Sequence, residues 1–149
     1  MIEKVKAIID TNLPLVSNLA NVSAILNEME DINWCGFYLV KDNKLYLGPF
    51  QGEVACTVID YGKGVCGKAF MDKKTVIVDN VLEFKGHIAC SEKSRSEIVT
   101  PIIKNGEVVA VIDIDSPSLS RFSLDDKLVL ESIASALEVL FNEWRVFWF

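Results

Sequence analysis

Three of the four cysteines, Cys56, Cys66 and Cys90, lie in or beside glycine-rich, otherwise apolar segments. Structural disulfides are rare in proteins that remain in a reducing compartment, so cysteines placed in turns indicate redox chemistry. Cys90 precedes Lys93 and Arg95, and nearby cations favour the reactive thiolate form. The cysteine spacing matches no zinc motif, because paired C-x-x-C knuckles are absent. We therefore predict redox-active thiols and no metal site.

Two carboxylates alternate at the end of a predicted strand. Residues at alternate positions share one face of a strand, so Val109, Val111, Asp113 and Asp115 form a row that changes from apolar to acidic. On a half-buried face the two carboxylates repel each other, and burial disfavours their charge. Either one acid stays protonated near neutral pH or the pair holds a cation. The alternative is a solvated strand end before the Ser116-Pro117 turn, and the residues alone do not decide between them.

The first predicted strand has an aromatic face. Trp34, Gly36 and Tyr38 share that face, where the glycine leaves room for a ligand between two rings, while Cys35 lies on the opposite, core-like face. Core packing is the competing explanation for the two aromatic residues and is the commoner one. Cys35 is expected to be a small buried hydrophobe rather than a redox group.

Residues 62–67 satisfy G-x-G-x-x-G, the dinucleotide-binding fingerprint. That motif requires a long helix and a βαβ unit after it, whereas only a short segment, 68–73, precedes the next strand-like run. A lone match is weak evidence, so we expect a tight glycine loop that carries Cys66 close to a ligand.

The remaining pattern predicts one α+β domain over residues 1–149, with a central antiparallel sheet flanked by helices from both termini. Apolar residues at helical spacing indicate helices near both ends, the last one capped by Ser123 with Asp126 in a capping-box position. Asn105-Gly106 predicts a hairpin turn. The predicted strands cover 34–40, 44–47, 54–59, 74–78, 96–103 and 108–114.

Composition limits the possible partners. The chain has 149 residues, is 50% hydrophobic and carries a net charge of −6, which argues against nucleic acid or an anionic membrane as the main partner. No uncharged run of about 18 residues exists for a membrane span, and the N-terminus has no apolar signal core. We expect a cytoplasmic protein.

Between about residues 33 and 122 the chain carries a series of distinctive motifs, namely Asn33-Trp34, Gly36-Phe37-Tyr38, Leu47-Gly48-Pro49-Phe50-Gln51-Gly52, Ala55-Cys56, Gly64-Val65-Cys66-Gly67, Gly86-His87-Ile88-Ala89-Cys90, Ser96-Glu97-Ile98-Val99 and Asp113-Ile114-Asp115-Ser116-Pro117. With these motifs the chain resembles the free methionine-(R)-sulfoxide reductases, which are enzymes built on a GAF domain. The number and order of the motifs make the match specific. The aromatic ending, 144–149, is not explained by it and is interpreted as a contact in a possible homodimer.

For the thiols, the resemblance implies that Cys90 is the nucleophile that becomes a sulfenic acid. By the same resemblance Cys56 looks like the resolving thiol in a Cys56–Cys90 disulfide, and Cys66 like an alternative resolving or relay thiol. The resemblance also implies that no cofactor is bound and that thioredoxin, with NADPH and thioredoxin reductase, is the external reductant.

For the substrate, the resemblance places Trp34 and Tyr38 around the methylthio end and Glu97, Asp113 and Asp115 on the polar side. Glu97 or Asp115 is expected to activate the sulfoxide oxygen, because a sulfoxide reacts poorly until that oxygen is protonated or hydrogen-bonded. Two alternatives stay open from the sequence, namely a GAF-type small-molecule sensing module without catalysis and a structural dimerisation domain with incidental cysteines.

Overall fold

The computed structural model describes residues 1–86 and 92–142. Cys90 and the aromatic segment 144–149, both of which carry predictions, lie outside the described residues. The described elements are α1 (Ile2–Ile8), α2 (Leu15–Leu26), β1 (Trp34–Lys41), β2 (Lys44–Gln51), β3 (Val58–Asp60), α3 (Gly64–Asp72), β4 (Val76–Val78), β5 (Ser96–Lys104), β6 (Glu107–Ser116) and α4 (Leu124–Leu137), with single 3-10 turns at Val81–Glu83 and Glu138–Leu140.

The strands form a six-stranded sheet in the order β3-β2-β1-β6-β5-β4, in which each neighbouring pair is antiparallel. β5 and β6 are joined by Asn105 and Gly106, whose φ angles of 53° and 80° are both positive. A two-residue hairpin turn with both central residues at positive φ matches the twist of its strands, which is why Asn-Gly is favoured there. The predicted α+β class and the predicted hairpin are both confirmed.

Helices from both termini cover one face of the sheet. β1, β5 and β6 turn apolar side chains such as Phe37, Ile98 and Ile112 toward this face, where they share a buried core with α1, α2 and α4. α4 begins at the predicted cap: the Ser123 hydroxyl accepts from the Asp126 amide, and the Asp126 carboxylate accepts from the Ser123 amide. The prediction of terminal helices packed on a central sheet is therefore confirmed.

The opposite face carries a second, smaller core, formed with α3 and including Tyr38, Val99 and Val111. It continues onto β2, β3 and β4, but the sheet is covered here by one short helix and by loops. This thinner layer leaves the space in which the polar residues of the candidate site collect.

The predicted strand over 54–59 is wrong in its first half. β3 begins at Val58, because its pairing with β2 starts opposite Tyr46. Val54 is 91% exposed and Cys56 lies in the loop before β3, so Val54, Cys56 and Val58 do not share a strand face. A β-branched, apolar composition predicted a strand, but no partner strand pairs with residues 52–56 in the described structure, and Thr57 only accepts one backbone hydrogen bond from Leu47 of β2.

The predicted glycine loop around Cys66 is also wrong, because Gly64 begins α3 and Cys66 lies in its first turn. Gly67 is required by close approach: a Cβ there would lie 2.8 Å from the Asp60 carbonyl oxygen and 3.0 Å from the Gly62 carbonyl carbon. The glycines thus allow α3 to pack against the chain that precedes it, which is a structural role rather than a nucleotide-binding one.

The predicted row of Val109, Val111, Asp113 and Asp115 is wrong at its first member. The β5–β6 register shifts between Ile102 and Ile103, which inserts one extra residue into β6. A bulge of this kind reverses the alternation of side chains, so Val109 packs against the larger core and Val111 against the smaller one.

No helix within residues 1–86 and 92–142 combines the length and the apolar composition needed to cross a bilayer.

Candidate active site

A pocket opens between the sheet and the first turn of α3, where β1 and β5 begin and β6 ends. It is lined by Trp34, Tyr38, Val54, Ala55, Ile59, Lys63, Gly64, Val65, Cys66, Ser94, Glu97, Asp113 and Asp115. All five substrate-binding residues predicted from the sequence are therefore brought together, and Cys66 joins them.

Register places the three acids side by side. Glu97 on β5 pairs with Asp115 on β6, and Val99 pairs with Asp113, so the carboxyls of Glu97 and Asp113 are diagonal neighbours. Glu97 is 8% exposed and Asp113 is 6% exposed. The alternative of a solvated strand end is thus wrong for Asp113, which is buried, whereas Asp115 is partly exposed.

Burial is the main cause that raises the pKa of each acid. For Glu97 and Asp115 the pKa is raised well above the usual value, first by desolvation and next by the charge of Asp113. The pKa of Asp113 is raised by desolvation, opposed by hydrogen bonding with Glu97 and Cys66. Three close, buried carboxyls cannot all ionise at low cost, so this environment favours the protonated form of each.

Two acceptor oxygens of this cluster are unsatisfied. Asp113 Oδ1 and Asp115 Oδ1 are buried, and neither has a hydrogen-bond partner in the described part of the chain. Leaving a buried acceptor unpaired costs about 1–3 kcal/mol. Such atoms favour binding of a cation or a hydrogen-bond donor in the pocket.

The stacked rings of Trp34, Tyr38 and Phe50 form an aromatic wall opposite the acids. The Trp34 ring stacks on Tyr38 at 6.0 Å and 24°, and on Phe50 at 5.2 Å and 15°. The Trp34 indole N–H donates to the Glu53 carbonyl at 3.1 Å, and the Tyr38 hydroxyl donates to the Cys56 carbonyl at 2.9 Å. The pKa of Tyr38 is raised mainly by desolvation and then by Asp113, so this hydroxyl stays protonated as a donor. The wall therefore also anchors the loop that carries Cys56.

The space above Gly36 is not available to a ligand, contrary to the sequence interpretation. A Cβ at this position would lie 2.3 Å from Phe50 Cβ and 2.8 Å from the Pro49 carbonyl oxygen. The missing side chain lets β2 approach β1 beside a register shift, and Phe50 fills the gap against Trp34. The pocket lies instead toward α3.

The thiols occupy different environments. Cys66 is 4% exposed, and its pKa is raised well above the usual value by desolvation and then by Asp113. Cys35 is buried in the larger core, where desolvation raises its pKa to about 12, as expected for a packed hydrophobe. Cys56 is half-buried in the loop before β3 and is disulfide-bonded, whereas Cys35 and Cys66 are free thiols.

Ser94 is a site residue that the sequence analysis missed. Its hydroxyl donates to Asp115 Oδ2 at 3.1 Å and accepts from the Asn33 side-chain amide at 3.3 Å. This hydrogen bond opposes the rise in the pKa of Asp115. A serine between two basic residues gave no sequence signal, because its role depends on the pairing of distant segments.

Comparisons with known proteins agree with this architecture. The family model of the GAF domain matches residues 21–142. The free methionine-R-sulfoxide reductase of Escherichia coli is 45% identical over 124 residues, which cover 83% of this chain and 78% of that protein.

Two solved structures are similar along almost the whole chain. The free methionine-R-sulfoxide reductase from Neisseria meningitidis in complex with its substrate has a TM-score of 0.87 at 45% identity, covering 93% of this chain and 83% of that one. The reduced form of fRMsr of Staphylococcus aureus has a TM-score of 0.89 at 45% identity, covering 94% and 92%. The chain belongs to the free methionine-R-sulfoxide reductase family of GAF domains.

Proposed function

We propose that this protein reduces free methionine-(R)-sulfoxide to methionine. The observation that carries the proposal is the pocket itself, in which an aromatic wall faces three buried carboxyls with raised pKa values. The apolar wall of Trp34 and Tyr38 suits a methylthio group, and the acids suit an ammonium group and a sulfoxide oxygen. The similarity to reductases that bind this substrate supports the assignment.

The carboxyls have two tasks in this proposal. A protonated acid hydrogen-bonds the sulfoxide oxygen and makes the sulfur electrophilic; Glu97 or Asp115 has this role, since the pKa of each is raised well above the usual value. The remaining carboxylates, Asp113 among them, pair with the substrate ammonium. A peptide-bound methionine sulfoxide has no free amine and is rejected, because it would leave a buried acceptor unpaired.

The thiols carry the electrons. The Cys90 thiolate attacks the sulfoxide sulfur, the oxygen passes to Cys90 as a sulfenic acid, and methionine leaves with the two electrons of the thiolate. The Cys56 thiol then attacks the sulfenic sulfur, water leaves, and a Cys56–Cys90 disulfide forms. The disulfide state of Cys56 beside free Cys35 and Cys66 supports this pairing. Cys66, buried with a raised pKa, has the secondary role of an alternative resolving thiol.

Regeneration needs two electrons from a dithiol. We propose that thioredoxin, supplied by NADPH through thioredoxin reductase, attacks the disulfide in the cytoplasm, with no cofactor bound to the protein. The Cys56 loop suits this exchange, because it lies outside the sheet and its neighbour Val54 is almost fully exposed. A homodimer with contacts through the segment 144–149 completes the proposal.

The test is thioredoxin-coupled NADPH oxidation with free methionine-(R)-sulfoxide, its S-epimer and the N-acetylated R-form. We expect turnover of the free R-epimer alone, its loss in Cys90→Ser, and near-normal turnover in Cys35→Ser, the matched control in the other core. Turnover of the N-acetylated form would contradict the ammonium argument. Absence of turnover with all three substrates, in reduced and folded protein, would leave a GAF sensing module instead.

Glu97→Gln and Asp115→Asn separate the two candidate acids. The variant that loses the proton donor should lower kcat by about 10²–10⁴-fold, the usual contribution of general acid catalysis. A variant that keeps full turnover removes its residue from that role.

A further inference from the structure

The buried cluster of Cys66, Glu97 and Asp113 joins a thiol and two carboxyls from three separate elements. One ligand atom from each residue lies within 4.8 Å of the others. We propose that these three side chains bind one Zn²⁺ ion, and that the ion competes with any cationic ligand of the pocket. Binding of the metal does not depend on the proposed reduction.

The geometry is close to what zinc requires. Zinc bonds of about 2.0–2.3 Å to oxygen and sulfur place two tetrahedral ligands roughly 3.3–3.8 Å apart. Even a pair at the upper limit of 4.8 Å reaches these distances when side-chain rotations shorten its spacing by about 1.0–1.5 Å. Glu97 and Asp113 stand on paired central strands and Cys66 on the first turn of α3, so the backbone is already organised.

An independent feature points to a cation at this place. Asp113 is 6% exposed, and its Oδ1 has no hydrogen-bond partner in the described structure. Asp115, whose Oδ1 is likewise unpaired, lines the same pocket beside the three ligands and offers a further oxygen. A bound cation satisfies acceptors that the protein leaves unsatisfied.

One thiolate sulfur and two carboxylate oxygens favour zinc over the harder divalent cations. A thiolate prefers soft or borderline cations, whereas Mg²⁺ and Ca²⁺ require oxygen-only sites with more ligands. Binding is not a redox step: the thiol and any protonated carboxyl release their protons as the metal bonds form. The positive charge of Lys63, which lines the pocket, repels the metal ion and limits the affinity of the site for it.

The test uses full-length Cys56→Ser/Cys90→Ser protein, which removes a dithiol that would itself bind the metal. Cd²⁺ serves as the optical probe, since a cadmium–thiolate bond adds an ultraviolet charge-transfer band, and Zn²⁺ displaces it in competition. We expect one equivalent of Cd²⁺, at least tenfold weaker binding in Asp113→Asn, and no thiolate band after a further Cys66→Ser change. A further Cys35→Ser change instead is the matched control and should keep the band.

Two results would overturn the proposal: no band in the doubly substituted protein, or a band that survives Cys66→Ser or disappears in Cys35→Ser. A thermal melt shows that each variant folds, and Cys66→Ala replaces Cys66→Ser if the serine variant does not. Zn²⁺ should raise the melting temperature only when Cys66 is present, because a ligand that binds the folded state alone stabilises it. These readouts need no catalytic activity, so failure of the reductase assay leaves them interpretable.

Discussion

Removing the Tyr38 hydroxyl should loosen the Cys56 loop without disturbing the aromatic wall. Tyr38 is 2% exposed and donates to the Cys56 carbonyl at 2.9 Å, close to the usual O–H···O distance. Tyr38→Phe keeps the ring that stacks on Trp34 and deletes only this bond. A buried hydrogen bond contributes about 1 kcal/mol net, so the melting temperature should fall by roughly 2–4 °C in a domain of this size.

Urea unfolding of reduced protein, with the m-value checked for constancy, measures the change in the free energy of unfolding. Tyr61→Phe is the matched control, because Tyr61 is 44% exposed and contacts Phe70 by its ring edge; a surface change of this kind should stay within about 0.5 kcal/mol. Amide exchange of residues 53–57 should accelerate in Tyr38→Phe alone. Equal stability losses in the two variants, or unchanged exchange, would refute the anchoring role.

Three further variants test the acid cluster, the strand contact and the helix cap. The raised pKa of Asp113 means that folding favours its protonated form, so its contribution to stability is full below the ordinary carboxyl pKa and is lost as pH rises through the folded value. Urea unfolding should therefore find Asp113→Asn more stable than the parent at neutral pH and similar at low pH; a benefit confined to low pH would contradict the sign. Gly36→Ala should lower the free energy of unfolding by about 1–3 kcal/mol, because its Cβ overlaps Phe50, and it should shift the tryptophan fluorescence. An unchanged melting temperature would show that β2 moves aside at no cost in stability. Ser123→Ala should lower the free energy of unfolding by about 1 kcal/mol through loss of the capping box. Ser132→Ala, at an exposed position of the same helix, is the control and should leave the thermal melt nearly unchanged. Equal losses of stability in the two variants would contradict the capping role of Ser123.

The parts of the fold that follow from local sequence were predicted well. β1 alternates strictly between Cys35, Phe37 and Leu39 on one face and Trp34 and Tyr38 on the other, and the structure places these sets in separate cores. The Asn-Gly turn and the capping box were recognisable because each depends on residues only a few positions apart.

The errors arise where contacts with residues far away in the sequence determine the local structure. The loop at 52–57 has a strand-like composition, but the side chains of Trp34 and Tyr38 hold it through its carbonyls. The bulge at Val109 comes from pairing with β5. The family resemblance grouped the three acids, and they line one pocket. The contact of Cys66 with Asp113 was not predicted, since it requires α3 to pack across the sheet.

The sheet ends on both sides in a strand of only three residues, β3 and β4. A long edge strand offers a row of unpaired amides and carbonyls on which another chain can add a strand, and short edges reduce that risk. The acidic Asp60 ends β3, and the basic pair Lys73 and Lys74 precedes β4. These short, charged edges protect the sheet from edge-to-edge aggregation, so we expect any association of two copies to use helices or loops rather than added strands.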